Sequence, residues 1–189
     1  MALGNTRDKI VELAREYIQK IGYHSFNYKQ IATQLNIKNA AIHHYFPSKE
    51  DLGLAVIEKD QQDFLSMSKH TGESGARERA ESILGNYNQY FNDGNKLCII
   101  GTFESAYNDL PEKIKTAAAQ YLDVVNQWLV DVFKQGLESG EFKFRITPEE
   151  MADFWSATLP GMLQVGRLRG ANSFNHALNA LRESLKGSL

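Results

Sequence analysis

The chain is predicted to be all-α, and three observations carry that prediction. Apolar residues recur at i, i+3, i+4 and i+7 through most of the 189 residues. The breaks in this period hold helix-stop and helix-start residues, such as Gly22, Pro47-Ser48 and Thr147-Pro148. The one run that could pass for a buried strand, Leu97-Cys98-Ile99-Ile100, has no second strand to pair with. About nine helices and no sheet are therefore expected, within a globular composition of 42% apolar residues and four prolines.

The first helix is expected from Arg7, with Ile10, Leu13, Ala14, Tyr17, Ile18 and Ile21 on one buried stripe and Gly22 as its stop. Arg15 reads as a solvated group on the outer face. Asn27 can cap a helix over Tyr28–Leu35 that buries Ile31, Ala32 and Leu35. After a tight turn at Asn36-Ile37, a helix over Asn39–Tyr45 has Ile42 and Phe46 as inward anchors. Its other face carries Lys38, Asn39, Ala40, Ala41, His43 and His44. Alanines let a helix approach a surface closely, and Asn, Lys and His offer donors suited to base edges and phosphates. Pro47 ends that helix, and Ser48 with Asp51 three residues on is a capping signature for the next.

The fourth helix should run through Leu52, Leu54, Ala55, Ile57, Phe64, Leu65 and Met67, as far as the small polar break at residues 70–75. A helix over Ala76–Phe91 follows, with Ala80, Ile83, Leu84, Tyr87, Tyr90 and Phe91 inward, and then a turn at residues 92–95. A short helix is expected at Thr102–Asn108, and the longest pattern spans Glu112–Leu137. Thr147-Pro148 starts a helix presenting Met151, Phe154, Trp155, Thr158, Leu159, Met162 and Leu163, which Pro160 should bend. The last helix is expected at Ser173–Leu185.

A helix, a short turn and a second helix with a polar outer face form a helix-turn-helix pattern. The run IATQLNIKNAAIHHYFPSKEDL closely resembles the N-terminal DNA-binding domain of TetR-family transcriptional regulators. In that pattern a recognition helix of small residues ends in aromatic and His residues before a Phe-Pro-Ser-Lys-Glu-like turn. The resemblance extends back through Gly22 to Ile10. There are two departures: Lys38 stands where the family has a capping Ser or Thr, so that Asn39 is expected to take over the cap, and His43 stands where Tyr is common.

The resemblance implies a DNA-binding head at residues 1–50 and a ligand-binding and dimerisation body at 51–189. In the head, Lys38, Asn39, Ala40, Ala41, His43 and His44 would face the groove, with Tyr28, Lys29, Tyr45 and Lys49 on phosphates. In the body it implies an effector pocket, for which the candidates are Phe64, Met67, Tyr87, Phe91, Phe103, Tyr107, Tyr121, Trp128 and Trp155. A buried Tyr or Trp needs a polar partner, and several converging could line an apolar cavity carrying a few polar groups. It also implies dimerisation through the last two long helices, with Phe154, Thr158, Leu159, Met162, Leu163, Phe174, Ala177, Leu178 and Leu181 as the interface. The expected function is a homodimeric regulator that binds a palindromic operator and is released by a small hydrophobic effector. A DNA-bound scaffold acting through protein partners is the alternative.

Charge agrees with a duplex-binding head. Up to Glu50 there are seven Lys or Arg against four Asp or Glu, leaving fourteen against nineteen for the rest. No nucleophile elbow, phosphate-cradling glycine loop or HExxH motif is present, so an enzyme is not expected. His43 and His44 are adjacent and diverge on a helix, which makes a poor metal pair; no metal or cofactor is expected. The single cysteine, Cys98, reads as packing or as a thiol sensor, and fits a reducing cytoplasm. No signal-like apolar core follows Met1, and the longest uncharged run of interest, residues 154–166, is too short to span a bilayer, so a cytoplasmic location is expected.

Overall fold

The structure is a computed structural model that describes residues 6–187. Among these, nine α-helices and one 3-10 turn account for the regular structure, with no strand: α1 Thr6–Ile21, α2 Tyr28–Leu35, α3 Asn39–Tyr45, α4 Lys49–His70, α5 Ala76–Asn92, α6 Ile99–Ser105, α7 Glu112–Glu138, α8 Pro148–Arg169 and α9 Ala171–Ser184. The all-α reading therefore stands, and local chemistry explains most of the boundaries. Gly22 ends α1 with φ +86°, a conformation that costs glycine little. Asn27 and Gln30 form a reciprocal capping box at the start of α2, and Thr147 with Glu150 does the same at α8 behind Pro148.

One element differs from expectation. The apolar run at 97–100 is not a lead-in: α6 begins at Ile99 and ends at Ser105, and a 3-10 turn at Tyr107–Asp109 replaces its expected last turn. Helix α8 continues through Pro160, whose missing N–H leaves the carbonyl of Ser156 without its usual helical donor.

The chain packs as two compact units. One comprises residues 1–63 and 99–121, the other residues 64–98 and 122–189, so that α4 and α7 each pass from one unit into the other. The division expected near residue 50 is one of roles; the packing boundaries lie elsewhere. In the first unit Ile10, Ile18, Ile31, Ile42, Leu52 and Val56 are fully buried. Tyr23 meets Phe26 and Phe103 at ring-centroid distances of 6.0 and 5.6 Å. A Cβ on Gly53 would lie 2.9 Å from both Tyr23 and Ile114, so α4 has no room for a side chain there.

An ion cluster around the buried Asp60 also belongs to the first unit. The carboxylate of Asp60 on α4 accepts from the Tyr121 hydroxyl of α7 at 3.1 Å and faces Arg15 of α1 at 3.6 Å. Arg15 also pairs with Asp63 at 2.7 Å and Glu12 at 2.8 Å, and Lys59 pairs with Asp63 and Glu12. Arg15 is thus a three-carboxylate hub and not the solvated group expected. Burial pushes the Asp60 carboxyl up to about 6, against the opposing pull of Arg15 and Tyr121.

The second unit is built on α8 and α9 with α5 and the later part of α7. Trp155 is fully buried, edge-on to Phe133 at 5.2 Å, and its indole N–H donates to Ser184 Oγ at 3.1 Å. Phe91 stacks on Phe174 at 4.2 Å over Gly166, where any Cβ would lie 2.7 Å from the Phe91 ring. Glu141 caps α5 by accepting from the backbone N–H groups of Ala76 and Arg77 at 3.1 and 3.0 Å, and these contacts hold its carboxyl below the usual range.

Candidate nucleic-acid interface

Helix α3 has seven residues, too few to be stable alone, so its order must come from its surroundings. The turn before it is a Schellman motif: Ile37 N–H donates to Ala32 O at 3.0 Å and Asn36 N–H to Thr33 O at 3.2 Å, with Asn36 left-handed at φ 53°. Its N-cap is Lys38, which makes no side-chain cap hydrogen bond, and the helix start is not shifted onto Asn39 as expected. Ile42 at 0% and Phe46 at 3% exposure anchor it. Behind it, Ser48 Oγ donates to Asp51 Oδ2 at 2.7 Å and accepts from Asp51 N–H at 3.1 Å, which starts α4 sharply. These hydrogen bonds from Ser48 also hold the Asp51 carboxyl low.

With its inner side fixed, α3 presents Lys38, Asn39, Ala40, His43, His44 and Tyr45 exposed, and Ala41 half-buried. Lys29 is exposed on α2. Two candidates for phosphate contact are placed differently. Tyr28 is 9% exposed, and its single hydroxyl proton is shared between the carbonyls of Ser48 at 2.5 Å and Phe46 at 3.1 Å, which clamps the α3–α4 junction. Burial, with Asp51 nearby, pushes it up to about 12. The Tyr28 ring also packs against His43 at 4.8 Å.

Lys49 turns inward. Its ammonium donates to the carbonyls of Phe26 at 2.7 Å and His24 at 3.1 Å and lies 4.4 Å from the Phe26 ring centroid, and burial lowers its pKa. Those carbonyls belong to the α1–α2 connection, so the Lys49 ammonium serves the protein's own backbone where a phosphate contact was expected. Lys49→Gln should therefore lower stability by about 1–2 kcal/mol, which a thermal melt of the free protein would register. An unchanged melt would return Lys49 to the DNA-contacting set.

The effector candidates do not form one group. Phe103, Tyr107 and Tyr121 fall in the first unit, where Phe103 is core against Tyr23, Tyr107 is 58% exposed in the 3-10 turn, and Tyr121 serves Asp60. In the second unit Trp155 and Phe91 are committed to packing against Phe133 and Phe174. Tyr87 is half-buried with its ring 5.9 Å from Tyr90. What remains together is Phe64, edge-on to Trp128 at 5.5 Å, and Met67, whose sulfur accepts from Asn86 Nδ2 at 3.1 Å.

The interface candidates divide too. Leu159, Met162, Leu163, Phe174, Leu178 and Leu181 are at most 6% exposed within the single chain and form its own core, while Phe154 is 41% exposed and Thr158 and Ala177 are half-buried. The open apolar stripe of α8 is instead Phe154, Ala157, Gly161, Val165 and Leu168, at helical spacing, with Leu168 at 88% exposure.

Comparison with known proteins agrees with this geometry. The family model described as bacterial regulatory proteins, tetR family, matches residues 10–56, from α1 into α4. A TetR transcriptional regulator from Legionella pneumophila, known by crystal structure, is 30% identical, with 98% of this chain and 100% of that one covered and a TM-score of 0.87. The chain belongs to the TetR family. A TetR-family regulator from Agrobacterium tumefaciens is 25% identical over 96% of this chain and 98% of that one, with a TM-score of 0.89. The transcriptional repressor DhaR of Mycobacterium sp. (strain GP1) is 24% identical over 86% of this chain and 83% of its own length.

This TetR-family protein is a DNA-binding transcriptional regulator and not an enzyme. Its helix-turn-helix is α2 and α3. No helix among the described residues is long and apolar enough to cross a membrane. Sequence reasoning missed one polar member of the TetR body, Arg79. A signal was present: Arg79 stands three residues after Ala76 and four before Ile83, on the stripe that α5 buries.

Proposed function

We propose that this TetR-family regulator is a homodimeric, cytoplasmic repressor whose two heads, residues 1–50, bind the half-sites of a palindromic operator, and that a small ligand held in the body, residues 51–189, releases it. The observation that carries the reading is the construction of α3, pinned by Ile42 and Phe46 with a small, polar, exposed outer face. Two copies joined through the open stripe of α8 can present recognition helices about 34–36 Å apart, one helical turn of DNA. Release is then a difference in ligand affinity between DNA-bound and free spacings, usually about 1–3 kcal/mol, and operator must weaken ligand binding by the same factor. Helices α4 and α7, each continuous from one unit into the next, are the elements able to carry such a displacement.

Operator selection followed by salt titration tests it. With Lys49 turned inward, Lys29 and Lys38 of each protomer are the lysines left for phosphates. The dimer should then neutralise about four, and log K should fall against log salt with a slope near −4. Asn39→Ala and His44→Ala should each cost about 1–3 kcal/mol on operator and relax base preference. A slope near zero, or equal losses on operator and random duplex, would remove this assignment of readout. An operator affinity that no small molecule changes would favour a scaffold acting through protein partners.

A further inference from the structure

Two buried side-chain donors in the second unit have no acceptor: the indole Nε1–H of Trp128 on α7 and the Nε–H of Arg79 on α5. They belong to one cluster, since the Arg79 guanidinium carbon lies 5.2 Å from the Trp128 ring centroid. Trp128 is 8% exposed. Phe64 meets its ring edge-on, and Met67, three residues further along α4, is held by Asn86 and Ser82 of α5. A neutral amide fixes the guanidinium: Arg79 Nη1 donates to Gln135 Oε1 at 2.7 Å, and Gln135 Nε2 donates to Ser74 O at 3.1 Å. Among the described residues no carboxylate pairs with it, and Asp131, which acts on it through space, accepts from Gln127 at 3.0 Å.

A buried donor left unmade costs about 1–3 kcal/mol, and more when it is charged. An unpaired arginine beside an unpaired indole N–H, on an aromatic floor, therefore has the form of a receptor for an anionic oxygen attached to an apolar body. We propose that the ligand of this regulator is a small apolar organic acid whose carboxylate accepts from Arg79 and Trp128 and whose body lies against Phe64 and Trp128. The inference rests on the ligand-release reading and names the ligand's chemical class. A single positive charge matches a monocarboxylate; a phosphate dianion would be left under-neutralised.

The test is calorimetric titration of the full chain, without DNA, with matched pairs: 4-phenylbutanoate against 4-phenylbutanamide, and octanoate against octanamide. The acids should bind about tenfold or more tightly than their amides. Arg79→Gln should abolish that preference, Arg79→Lys should keep part of it, and Trp128→Phe, which keeps a ring but deletes the N–H, should weaken the acids several-fold. Should Arg79→Gln fail to fold, the acid–amide comparison on the wild type and on Arg79→Lys still decides. Equal binding of acid and amide, a preference that survives Arg79→Gln, or no binding by any acid at about 1 mM overturns the site. An acid that binds through Arg79 without weakening operator affinity would keep the site and remove the release reading. A neutral molecule that releases operator equally from wild type and Arg79→Gln would do the reverse.

Discussion

Val165→Glu should yield a folded monomer, whereas Leu163→Glu should yield no cooperatively folded protein. The two positions are neighbours on α8 and differ in what surrounds them. Leu163 is 1% exposed in the single chain, so a glutamate there would be buried without a partner. That class of substitution costs roughly 4–5 kcal/mol or more, a large part of a domain's stability. Val165 is 44% exposed, on the stripe with Phe154, Gly161 and Leu168, so its replacement leaves the protomer's core intact. In a dimer built on that stripe the carboxylates of two copies would be brought together without partners. Circular dichroism with sedimentation reads both outcomes. A dimeric Val165→Glu would place the interface elsewhere, and a well-folded Leu163→Glu would contradict the core described for α8 and α9. Tight operator binding should disappear from the monomer, because one head engages one half-site.

Asp60→Asn should stabilise the protein at neutral pH, by on the order of 2 kcal/mol. The Asp60 carboxyl sits near 6 in the folded chain against 3.8 for the free group, so between those values the folded state binds more proton than the unfolded one. Its contribution to stability is complete below the unfolded value and is lost as pH rises through the folded one. Above pH 6 the chain carries a buried carboxylate that Arg15 and Tyr121 compensate only in part. Asparagine removes the charge, keeps an oxygen for the Tyr121 hydroxyl, and leaves Arg15 its closer partners Asp63 and Glu12. The gap between variant and wild type should be widest near pH 7 and close near pH 4. Denaturant titrations across that range measure it, and a variant less stable at pH 7 would show that the Arg15–Asp60 attraction outweighs the burial penalty.

The features legible in the sequence were those determined within about four residues. The Asn27–Gln30, Ser48–Asp51 and Thr147–Glu150 caps, the left-handed Asn36 and the stop at Gly22 are all local bargains between side chain and backbone. What was not legible depends on distant partners. Lys49 finds carbonyls at residues 24 and 26, and Arg15 finds carboxylates at residues 60 and 63. Helical periodicity also cannot tell a protomer's own core from a surface made for a second copy, since both are apolar stripes. On α8 it picked out Leu159, Met162 and Leu163, which face inward, and missed Val165 and Leu168, which do not. Tyr107 was expected to be buried because the helical period was carried past Ser105, where the backbone tightens into the 3-10 turn and leaves the ring exposed.

The packing of Tyr23 against Phe103, and of Gly53 beneath Tyr23 and Ile114, limits how this regulator could be recombined. A chimera that grafted residues 1–50 onto a foreign body would carry Tyr23 without the Phe103 ring it packs against, and would leave the Lys49 ammonium gripping a loosened loop. The DNA-reading part is therefore not a cassette that a single crossover can move, because its fold is completed by a segment encoded much later in the chain. New operator preferences would be reached by replacing the outward residues of α3 in place, where Ile42, Phe46 and the Tyr28 clamp hold the helix whatever its exposed face reads.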